Sequence, residues 1–385
     1  MSIFNSLGSN YNLKYVLKSL FSNTAGQNQK LKNFLEEKYQ GKAILTYKGR
    51  EALTLALKIL NLPKESCVAI NGFTCYAVYK AVEEAGLTPI CLDLGEKNTD
   101  LNFASETLEK ILKKNKDIKV VVVQNTLGYP TDIEKIVKIC REKNIILIED
   151  LAHCVGAKYA NEKEAGSMGD FVALSFSRDK IVDAVSGGAL VIRNRKYLSL
   201  ENFQFKEPAN QIRDMLYPLF TYKIRSLYDL GLGKILHFIL KKLNLLSKPM
   251  QEGLYDFYSL PNWYCYLAML GFDNLSKQLS HRRKIAQIYA KKLNKKILSS
   301  NIVEKISISS NLRFPIFVEN RKKLIQFLKV CNIFISDIWY DDVAPQCPNA
   351  VKISRIILNL PTHINTTEKD ALRISERINE WLRSA

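Results

Sequence analysis

The sequence predicts an α/β fold, in which a large domain built on a mostly parallel β-sheet precedes a smaller α+β domain. Short apolar runs alternate with amphipathic stretches from about residue 68 to about residue 191. Hydrophobic residues make up 47% of the 385 residues, which allows a sizeable core and excludes wholesale disorder. After about residue 300, strand-like and helix-like stretches alternate again. We therefore expect two units, at residues 1–255 and 256–385.

The large domain shows the clearest alternation. Its strand-like runs lie at residues 67–70, 88–92, 118–123, 145–149, 171–176 and 189–193, and its amphipathic stretches at 76–85, 104–113 and 133–143. A strand, a helix and another strand in succession favour parallel neighbours that are covered by helices. Because ligands bind beyond the carboxyl ends of such strands, we expect the functional residues there.

Residues 202–250 depart from this pattern. Apolar residues recur at helical spacing from Ile212 to Leu227 and from Ile235 to Leu243, with Lys and Arg between them. No 18 consecutive residues are free of charge, which argues against a spanning helix. Two interpretations stay open. The segment is either a helical insertion packed on the core or on a second subunit, or a basic amphipathic surface helix that contacts a membrane.

The C-terminal unit combines helices and strands. Residues 260–298 predict one long helix or two joined ones. Strands are expected at 313–317, 333–335 and 356–358, and helices at 321–330 and 369–382. This mixture is typical of an α+β domain.

The net charge of +18 and the eight cysteines limit the classes of partner and compartment. A sequence pI near 9.4 suits nucleic acid, a membrane surface or an acidic small substrate. No zinc-finger spacing or long Lys/Arg block is present, so no nucleic-acid partner is expected. No cysteine pair has CxxC spacing, which favours buried thiols in a reducing cytosol over disulfides or a metal site. The first residues do not resemble a signal peptide, so a cytoplasmic location is expected.

Two of the predicted strands end in residues suited to chemistry. The strand at 145–149 leads into Glu149 and Asp150, and His153 follows three residues after the aspartate. The strand at 171–176 carries Ser175, and Lys180 comes just past its end. Each motif alone is common in α/β proteins, where acidic strand ends and surface lysines are frequent.

Glycines mark a third motif and flank the lysine. Gly49 opens an amphipathic helix and is followed by Arg50 and Glu51. Free amides at a helix N-terminus together with an arginine form a phosphate site. The pair Gly187-Gly188, shortly after the lysine, lets the backbone come close to a ligand.

Together the three motifs meet the needs of a pyridoxal phosphate (PLP) enzyme. Such an enzyme needs a lysine that binds the cofactor as a Schiff base and a carboxylate that keeps the pyridine nitrogen protonated. It also needs an anion cradle for the phosphate. The sequence places Lys180, Asp150 and the helix that starts at Gly49 at strand ends or at a helix start.

At these residues the chain resembles the DegT/DnrJ/EryC1/StrS aminotransferases, which have PLP fold type I. The matching segments are Gly49 with Ala52-Leu53; Gly128-Tyr129-Pro130-Thr131-Asp132; Ile148 to His153; Gly169-Asp170 with Ser175-Phe176 and Lys180; Gly187-Gly188; and Leu360-Pro361. The resemblance implies a homodimer. It also implies transfer of an amino group, with glutamate as the expected donor, to a keto-sugar that is linked to a nucleotide.

The resemblance also implies a role for each catalytic residue. Lys180 would bind the cofactor covalently and shuttle protons. Asp150 would pair with the pyridine nitrogen. His153 stands where the family usually has Gln or His, and it would contact the cofactor ring or its 3-hydroxyl.

Further residues are implied for phosphate binding. Gly49, Arg50 and Glu51 would present backbone amides to the phosphate, and Arg50 also its guanidinium, at a position where the family often has threonine. Ser175 would bind near the phosphate. Asn125, on the strand end before Gly128, would face the pocket.

The chain departs from the family where the cofactor ring would be stacked. An aromatic residue usually follows the threonine that corresponds to Thr74, but here that position holds Cys75, with Tyr76 next. Either Tyr76 or Phe73 supplies the ring face, or the stacking is weaker. The Asn-x-Arg that often reaches across the family's dimer is altered as well, to Leu260-Pro261-Asn262.

Two alternatives stay open. The family contains PLP-dependent sugar dehydratases, in which histidine replaces the Schiff-base lysine, and Lys180 argues against that activity. The other alternative is a non-catalytic membrane-surface or interaction protein on the same fold, which would use residues 202–250 and the positive charge.

Overall fold

The computed structural model describes residues 2–95, 101–198, 203–209, 211–247, 256–336 and 343–384. Its strands are β1 Ile3–Phe4, β2 Lys42–Thr46, β3 Cys67–Asn71, β4 Thr88–Leu92, β5 Ile118–Val123, β6 Ile146–Asp150, β7 Phe171–Ser175, β8 Gly188–Ile192, β9 Phe205–Lys206, β10 Phe257–Tyr258, β11 Phe314–Phe317, β12 Ile333–Phe334 and β13 Ile357–Leu360. Its helices are α1 Leu13–Phe21, α2 Gln27–Tyr39, α3 Gly49–Ile59, α4 Tyr76–Glu84, α5 Ser105–Lys114, α6 Ile133–Glu142, α7 Ile212–Ser226, α8 Leu232–Lys242, α9 Asn262–Asp273, α10 Leu275–Lys292, α11 Ser300–Glu304, α12 Arg321–Val330, α13 Pro348–Ile356 and α14 Glu368–Ser384.

The central sheet has the strand order β2-β8-β7-β6-β5-β3-β4. Neighbours from β4 to β7 are parallel, whereas β8 runs antiparallel to both β7 and β2. This confirms the predicted α/β fold with a mostly parallel sheet. Because β8 is reversed, its first residues lie at the edge where β2, β3, β5, β6 and β7 end. The predicted functional motifs are therefore gathered at one edge of the sheet.

Side chains alternate between the two faces of the sheet, and both faces are buried. On β5, for example, Val120 and Val122 belong to one apolar cluster and Val121 and Val123 to the other. The first cluster includes α3, α4 and the C-terminal helices α10, α12 and α14, and the second includes α2, α5, α6 and α9. Burial on both faces explains why the strands are nearly continuous apolar runs.

The same alternation separates the two acidic residues that end β6. Glu149 is fully buried and faces away from the site. Its carboxylate accepts hydrogen bonds from the hydroxyl of Tyr159 (2.7 Å) and from the amides of Gly166 (2.8 Å), Met168 (2.6 Å) and Gly169 (2.6 Å). Glu149 therefore fixes the turn that leads into β7, and it leaves Asp150 for the opposite side.

The first residues of the chain pack with its C-terminal part. β1 pairs in parallel with β12, so residues 3–4 extend the region around 333–334 rather than the central sheet. The boundary between residues 255 and 256 adjoins residues 248–255, which lie outside the described residues, and the division into 1–255 and 256–385 stays a prediction. The structure adds α1, α2, β2 and α13, which the sequence pattern did not predict.

The predicted helical segment at 202–250 is largely described, although residues 202, 210 and 248–250 lie outside the described residues. It contains α7 and α8, and the pairing of β9 with β10 brings its two ends together. α7 packs against both α1 and α8. None of the described helices is both long and apolar enough to cross a bilayer. All eight cysteines are free thiols.

Replacing Glu149 with alanine is expected to destabilise the fold strongly. The change leaves four largely buried donors without their acceptor, and each costs about 1–3 kcal/mol. We expect urea denaturation to show a free energy of unfolding lower by about 3 kcal/mol or more. The control is Glu142→Ala. That side chain is exposed, and its ion pair with Lys138 is long (3.9 Å) and solvated, so the free energy of unfolding should change by no more than about 0.5 kcal/mol. Equal losses in the two variants would contradict this role of Glu149.

Candidate active site

A cavity of about 650 Å³ opens beside the edge of the sheet where the motifs meet. Cys75, His153 and Lys180 line its inner wall. Its outer wall comes from three other parts of the chain: the N-terminal segment, the region after β12, and residues 217–247 of the segment that contains α7 and α8. The structure therefore brings three of the predicted site residues into one cavity.

Lys180 is partly buried in this cavity. Burial lowers the pKa of its ammonium group, while the charges of Cys75 and Asp150 act in the opposite direction. The backbone around Lys180 is held by its neighbours. Its carbonyl accepts a hydrogen bond from Asn10 Nδ2 (3.3 Å), and the amide of Asp179 donates to Asp183 Oδ2 (2.8 Å). The backbone of Lys180 is thus held in place, and its amine loses its proton more easily than that of an exposed lysine.

A partly buried ion pair anchors the turn that carries Lys180. Asp179 has a left-handed backbone, with φ at +65°, which is uncommon for a residue other than glycine. Its carboxylate lies 3.3 Å from the guanidinium of the fully buried Arg313. Arg313 also donates to the carbonyl of Asn5 at 2.8 Å. The C-terminal part, the N-terminal segment and the lysine turn are therefore tied together at one point.

Asp150 ends β6 and lies behind the cavity wall. Burial raises its pKa, while a hydrogen bond from the Ala152 amide (2.9 Å) and the charge of Lys180 act to lower it. The carboxylate and the amine of Lys180 are thus within electrostatic reach of each other. A cation placed near Asp150 would restore its charged form.

His153 is buried and has a defined tautomer. Its Nδ1 accepts a hydrogen bond from the amide of Leu127 at 3.3 Å, so Nε2 carries the proton in the neutral ring. Burial holds the pKa of His153 well below its usual range, and the charges of Lys180 and Arg313 lower it further. The imidazole is therefore neutral at physiological pH and can donate from Nε2.

Gly49, Ser175 and Gly188 form a tightly packed cradle where β2, β7 and β8 meet. A Cβ on Gly49 would lie 2.5 Å from Cβ of Ser175, and one on Gly188 would lie 2.7 Å from Cα of Gly49. Only glycine fits at these two positions. Because α3 begins at Gly49, its first amides have no partner within the helix and are suited to bind an anion.

Glu51 supports this cradle from behind. Its Oε2 accepts a hydrogen bond from the amide of Tyr47 at 3.1 Å, and the side chain is buried. It thus turns back toward the residues before the helix, as the third residue of a capping box does. Burial raises the pKa of Glu51 to about 7. Only the backbone of Glu51 is therefore suited to contact a phosphate.

A further cation next to the cradle was not predicted from the sequence. Lys48 directly precedes Gly49, and its ammonium group donates to the Ser186 hydroxyl at 2.7 Å. Burial lowers the pKa of Lys48, the charge of Asp214 acts in the opposite direction, and the charges of Arg178 and, more weakly, Arg50 lower it further. The sequence signal that could have indicated Lys48 is its position directly before the glycine that opens a helix. Lys48 and Arg50 thus give the cradle a positive surrounding.

Three predicted pocket residues lie elsewhere. Tyr76 is 44% exposed, and its ring packs against Tyr79 with a centroid distance of 6.3 Å. Phe73 is buried in the apolar core. The amide group of Asn125 donates to the Tyr159 hydroxyl (2.9 Å) and so faces the interior behind the sheet edge rather than the cavity. Within the described residues, neither aromatic residue lines the cavity, and Cys75 holds the place next to Lys180.

The segment with α7 and α8 contributes to the site in a way that the sequence did not reveal. Tyr217, Tyr228 and His237 line the cavity opposite Lys180. Arg178 lies with its guanidinium 4.4 Å from the Tyr217 ring centre, and it donates a hydrogen bond to the carbonyl of Ser247. Of the two interpretations left open for this segment, packing on the core is thus confirmed for the inner sides of these helices.

The residues present fit PLP. Lys180 supplies an amine, Asp150 a buried carboxylate that needs a cation, and His153 a neutral donor. The packed glycines leave no room for a Cβ beside the helix start at Gly49, where the first amides are suited to bind an anion. Lys48 and Arg50 add positive charge there. This donor set suits a group that has an aldehyde, a basic ring nitrogen and a phosphate.

Comparison with known proteins gives the same assignment. The pattern that defines the DegT/DnrJ/EryC1/StrS aminotransferase family matches residues 11–211 and 257–379, so the gap coincides with α7 and α8. The chain is 24% identical over 364 residues to the GDP-perosamine synthase of Escherichia coli O157:H7, which covers 92% of this chain and 89% of that protein. It is 28% identical over 269 residues to the UDP-4-amino-4,6-dideoxy-N-acetyl-beta-L-altrosamine transaminase of Campylobacter jejuni serotype O:23/36, which covers 69% and 62%.

The fold also matches solved structures. Helicobacter pylori PseC, described as an aminotransferase involved in the biosynthesis of pseudoaminic acid, superposes over 100% of both chains with a TM-score of 0.73 at 17% identity. At that identity the likeness establishes the fold. The PLP-form structure of Spr1654 from Streptococcus pneumoniae superposes over 99% of both chains with a TM-score of 0.69 at 16% identity.

The buried, neutral His153 is expected to make the protein less stable in mild acid. Between pH 7 and pH 5 the unfolded chain takes up a proton at this residue and the folded chain does not, so the free energy of unfolding falls as the pH falls. His153→Gln removes that proton uptake. We therefore expect a smaller loss of stability between pH 7 and pH 5 in urea titrations of the variant.

The matched control is His237→Gln. That imidazole is only partly buried, and its pKa is lowered less strongly, so its removal should change the pH dependence less. An identical pH dependence in wild type and His153→Gln would show that His153 is not held neutral by its surroundings.

Proposed function

The chain belongs to the DegT/DnrJ/EryC1/StrS aminotransferase family, and from that premise we propose that it moves an amino group from an amino-acid donor, glutamate, to the carbonyl carbon of a nucleotide-linked keto-sugar. The proposed cofactor is PLP, held by Lys180, Asp150, His153 and the cradle at Gly49. The observation that carries the proposal is the meeting of a partly buried amine, a buried carboxylate and a neutral imidazole at one edge of the sheet.

Lys180 would move the proton. PLP, when bound, supplies an electron sink for the carbon that loses its proton. The Lys180 amine can accept that proton only when it is neutral, and burial favours the neutral form by lowering its pKa. The ties of its turn to Asn10 and Arg313 hold the backbone of Lys180 at the cavity wall, from which its side chain can reach a bound cofactor.

The neighbouring residues would hold the cofactor and keep it in its reactive form. Asp150 would face a cationic ring nitrogen, and this cation would reverse the effect of burial on the carboxylate. His153 would donate from Nε2, because Nδ1 is occupied by the amide of Leu127. The amides at the start of α3, with Lys48 and Arg50 nearby, would bind a dianionic phosphate.

The substrate class is supported by the relatives and by the charge of the chain. Both relatives described above are named for a GDP-linked or UDP-linked sugar. The net charge of +18 favours an acidic substrate such as a nucleoside diphosphate sugar. The cavity of about 650 Å³ lies within the range of small-molecule sites, about 300–1,000 Å³.

We also propose a homodimer, a cytoplasmic location and a peripheral membrane contact through residues 202–250. The homodimer is supported by the family resemblance, and the location by eight free cysteines. The membrane contact is supported by the basic, apolar character of the segment.

Absorbance of the purified protein with added PLP tests the cofactor assignment. Wild type is expected to show a visible band that borohydride removes, and Lys180→Ala is expected to lack that band because it has no amine at this position. Lys163→Ala, which removes an exposed lysine, serves as the control and should keep the band. Glutamate should then shift the wild-type band. If the other amino acids tested leave the band unchanged, glutamate is identified as the donor.

Two outcomes would count against the proposal. A wild-type protein that is folded but shows no visible band with PLP would contradict the cofactor assignment. A band that persists in Lys180→Ala would move the covalent site to another lysine, with the partly buried Lys48 next to Gly49 as a candidate. Product analysis with nucleotide-linked keto-sugars tests the reaction itself, since water loss without amine transfer would indicate a dehydratase.

A further inference from the structure

Exposed apolar side chains are concentrated on α1 and α8. On α1, Phe21 is 80% exposed. On α8, Phe238 is 67% exposed and Ile235 is 58% exposed. The further exposed members are Leu13, Leu17 and Leu20 on α1, and Leu232, Ile239 and Leu243 on and just after α8. Clustered exposed apolar side chains are typical of surfaces that bind a protein or a membrane, whereas apolar side chains exposed singly are normal on soluble proteins.

The exposed residues of α8 form one face of an amphipathic helix. Leu232, Ile235, Ile239 and Leu243 follow each other at spacings of three or four residues and so lie on the same side. A neighbouring side of the helix carries Leu240, which is buried, and Gly233, whose Cβ would clash with the backbone of α7 and of Tyr228 just after it. The helix thus packs with one side on α7 and presents a second apolar side to the outside.

Lysines accompany both exposed faces. α1 carries Lys14 and Lys18, and α8 carries Lys234, Lys241 and Lys242. Residues 12–21 and 231–247 contain no Asp or Glu. Each apolar face is therefore accompanied by lysines, and the only carboxylate that lines a cavity with Lys14 and Lys18 in the described residues is that of Asp183.

We infer that the exposed faces of α1 and α8 dock on an anionic lipid bilayer, with their apolar side chains in the headgroup region and their lysines at the lipid phosphates. This charge pattern distinguishes the bilayer from a second copy of the chain. Two copies joined through the same face would bring lysines against lysines, which is unfavourable. Apolar side chains flanked by lysines on a helix that lies flat are typical of helices at a membrane surface.

The same segment is a wall of the active-site cavity. Tyr217, Tyr228 and His237 face the cavity, while Ile235 and Phe238 face outward. The inner side is held in place by the hydrogen bond from Arg178 to the carbonyl of Ser247. Docking would therefore put the cavity next to the bilayer surface, separated from it by one layer of helices. The docking specifies the membrane contact proposed above for residues 202–250, and its link to the cavity rests on the proposed function of that cavity.

Vesicle co-sedimentation of the full-length protein tests the docking. Wild type is expected to sediment with vesicles of phosphatidylcholine and phosphatidylglycerol in equal parts, and to bind pure phosphatidylcholine more weakly. The variant Ile235→Ser/Phe238→Ser should bind the anionic vesicles at least about tenfold more weakly, because it removes two apolar side chains that docking would bury in the bilayer. The control is Val330→Ser on α12, a residue that is 83% exposed but far from these helices in sequence, and it should bind as wild type does.

A second pair of variants tests the charge. Lys234→Gln/Lys241→Gln should weaken binding to anionic vesicles and reduce its sensitivity to salt. Lys322→Gln/Lys329→Gln, which removes two exposed lysines of α12, should leave both unchanged. The PLP absorbance band and the melting temperature of every variant report whether the fold and the cofactor site are retained. A failure of docking is thus distinguishable from a failure of the proposed function.

Three results would overturn the inference. The first is that wild type does not sediment with anionic vesicles. The second is that Ile235→Ser/Phe238→Ser binds them as strongly as Val330→Ser does. The third is that wild type does not bind lipid and light scattering shows that Ile235→Ser/Phe238→Ser converts a dimer to a monomer. That result would assign the face to a second copy of the chain.

Discussion

The arrangement of the site depends on the parallel run of strands from β4 to β7 and the single reversed strand β8. Because parallel strands end at the same edge, Asp150 and Ser175 are neighbours in space although 25 positions separate them in the sequence. The reversal of β8 brings Gly188 to that edge, where its missing side chain leaves room for Gly49. If β8 ran parallel to β7, it would begin at the opposite edge of the sheet, and Gly188 would lie there.

Desolvation is the second feature that the chemistry requires. Burial lowers the pKa values of Lys180 and His153 and raises that of Asp150, so each group is shifted toward its neutral form. A cofactor with a cationic ring nitrogen and a dianionic phosphate supplies the charges that these groups and the cradle lack. Stability and function thus act in opposite directions at this edge, as is common for catalytic sites.

The sequence predicted those parts of the fold and the site that follow from local pattern. The bounds of β5 and α12 agree with the predicted runs because their apolar periodicity is strong. α2 was not predicted, since it is mostly polar and starts at Gly26 without a side-chain cap. Tyr76 was proposed for the cavity, but it is the first residue of α4 and points outward, whereas Cys75 immediately before it lines the cavity. The walls formed by α7 and α8 depend on contacts between distant segments, which no local spacing reveals.

The proposed site depends on Lys180 as the residue that binds the cofactor. Peptide mass mapping can identify the modified residue after incubation of the protein with PLP, reduction with borohydride and digestion. We expect a pyridoxyl modification on the peptide that contains Lys180 and on no other peptide in stoichiometric amount. Modification of Lys48 instead, or of many surface lysines to a similar low extent, would contradict it.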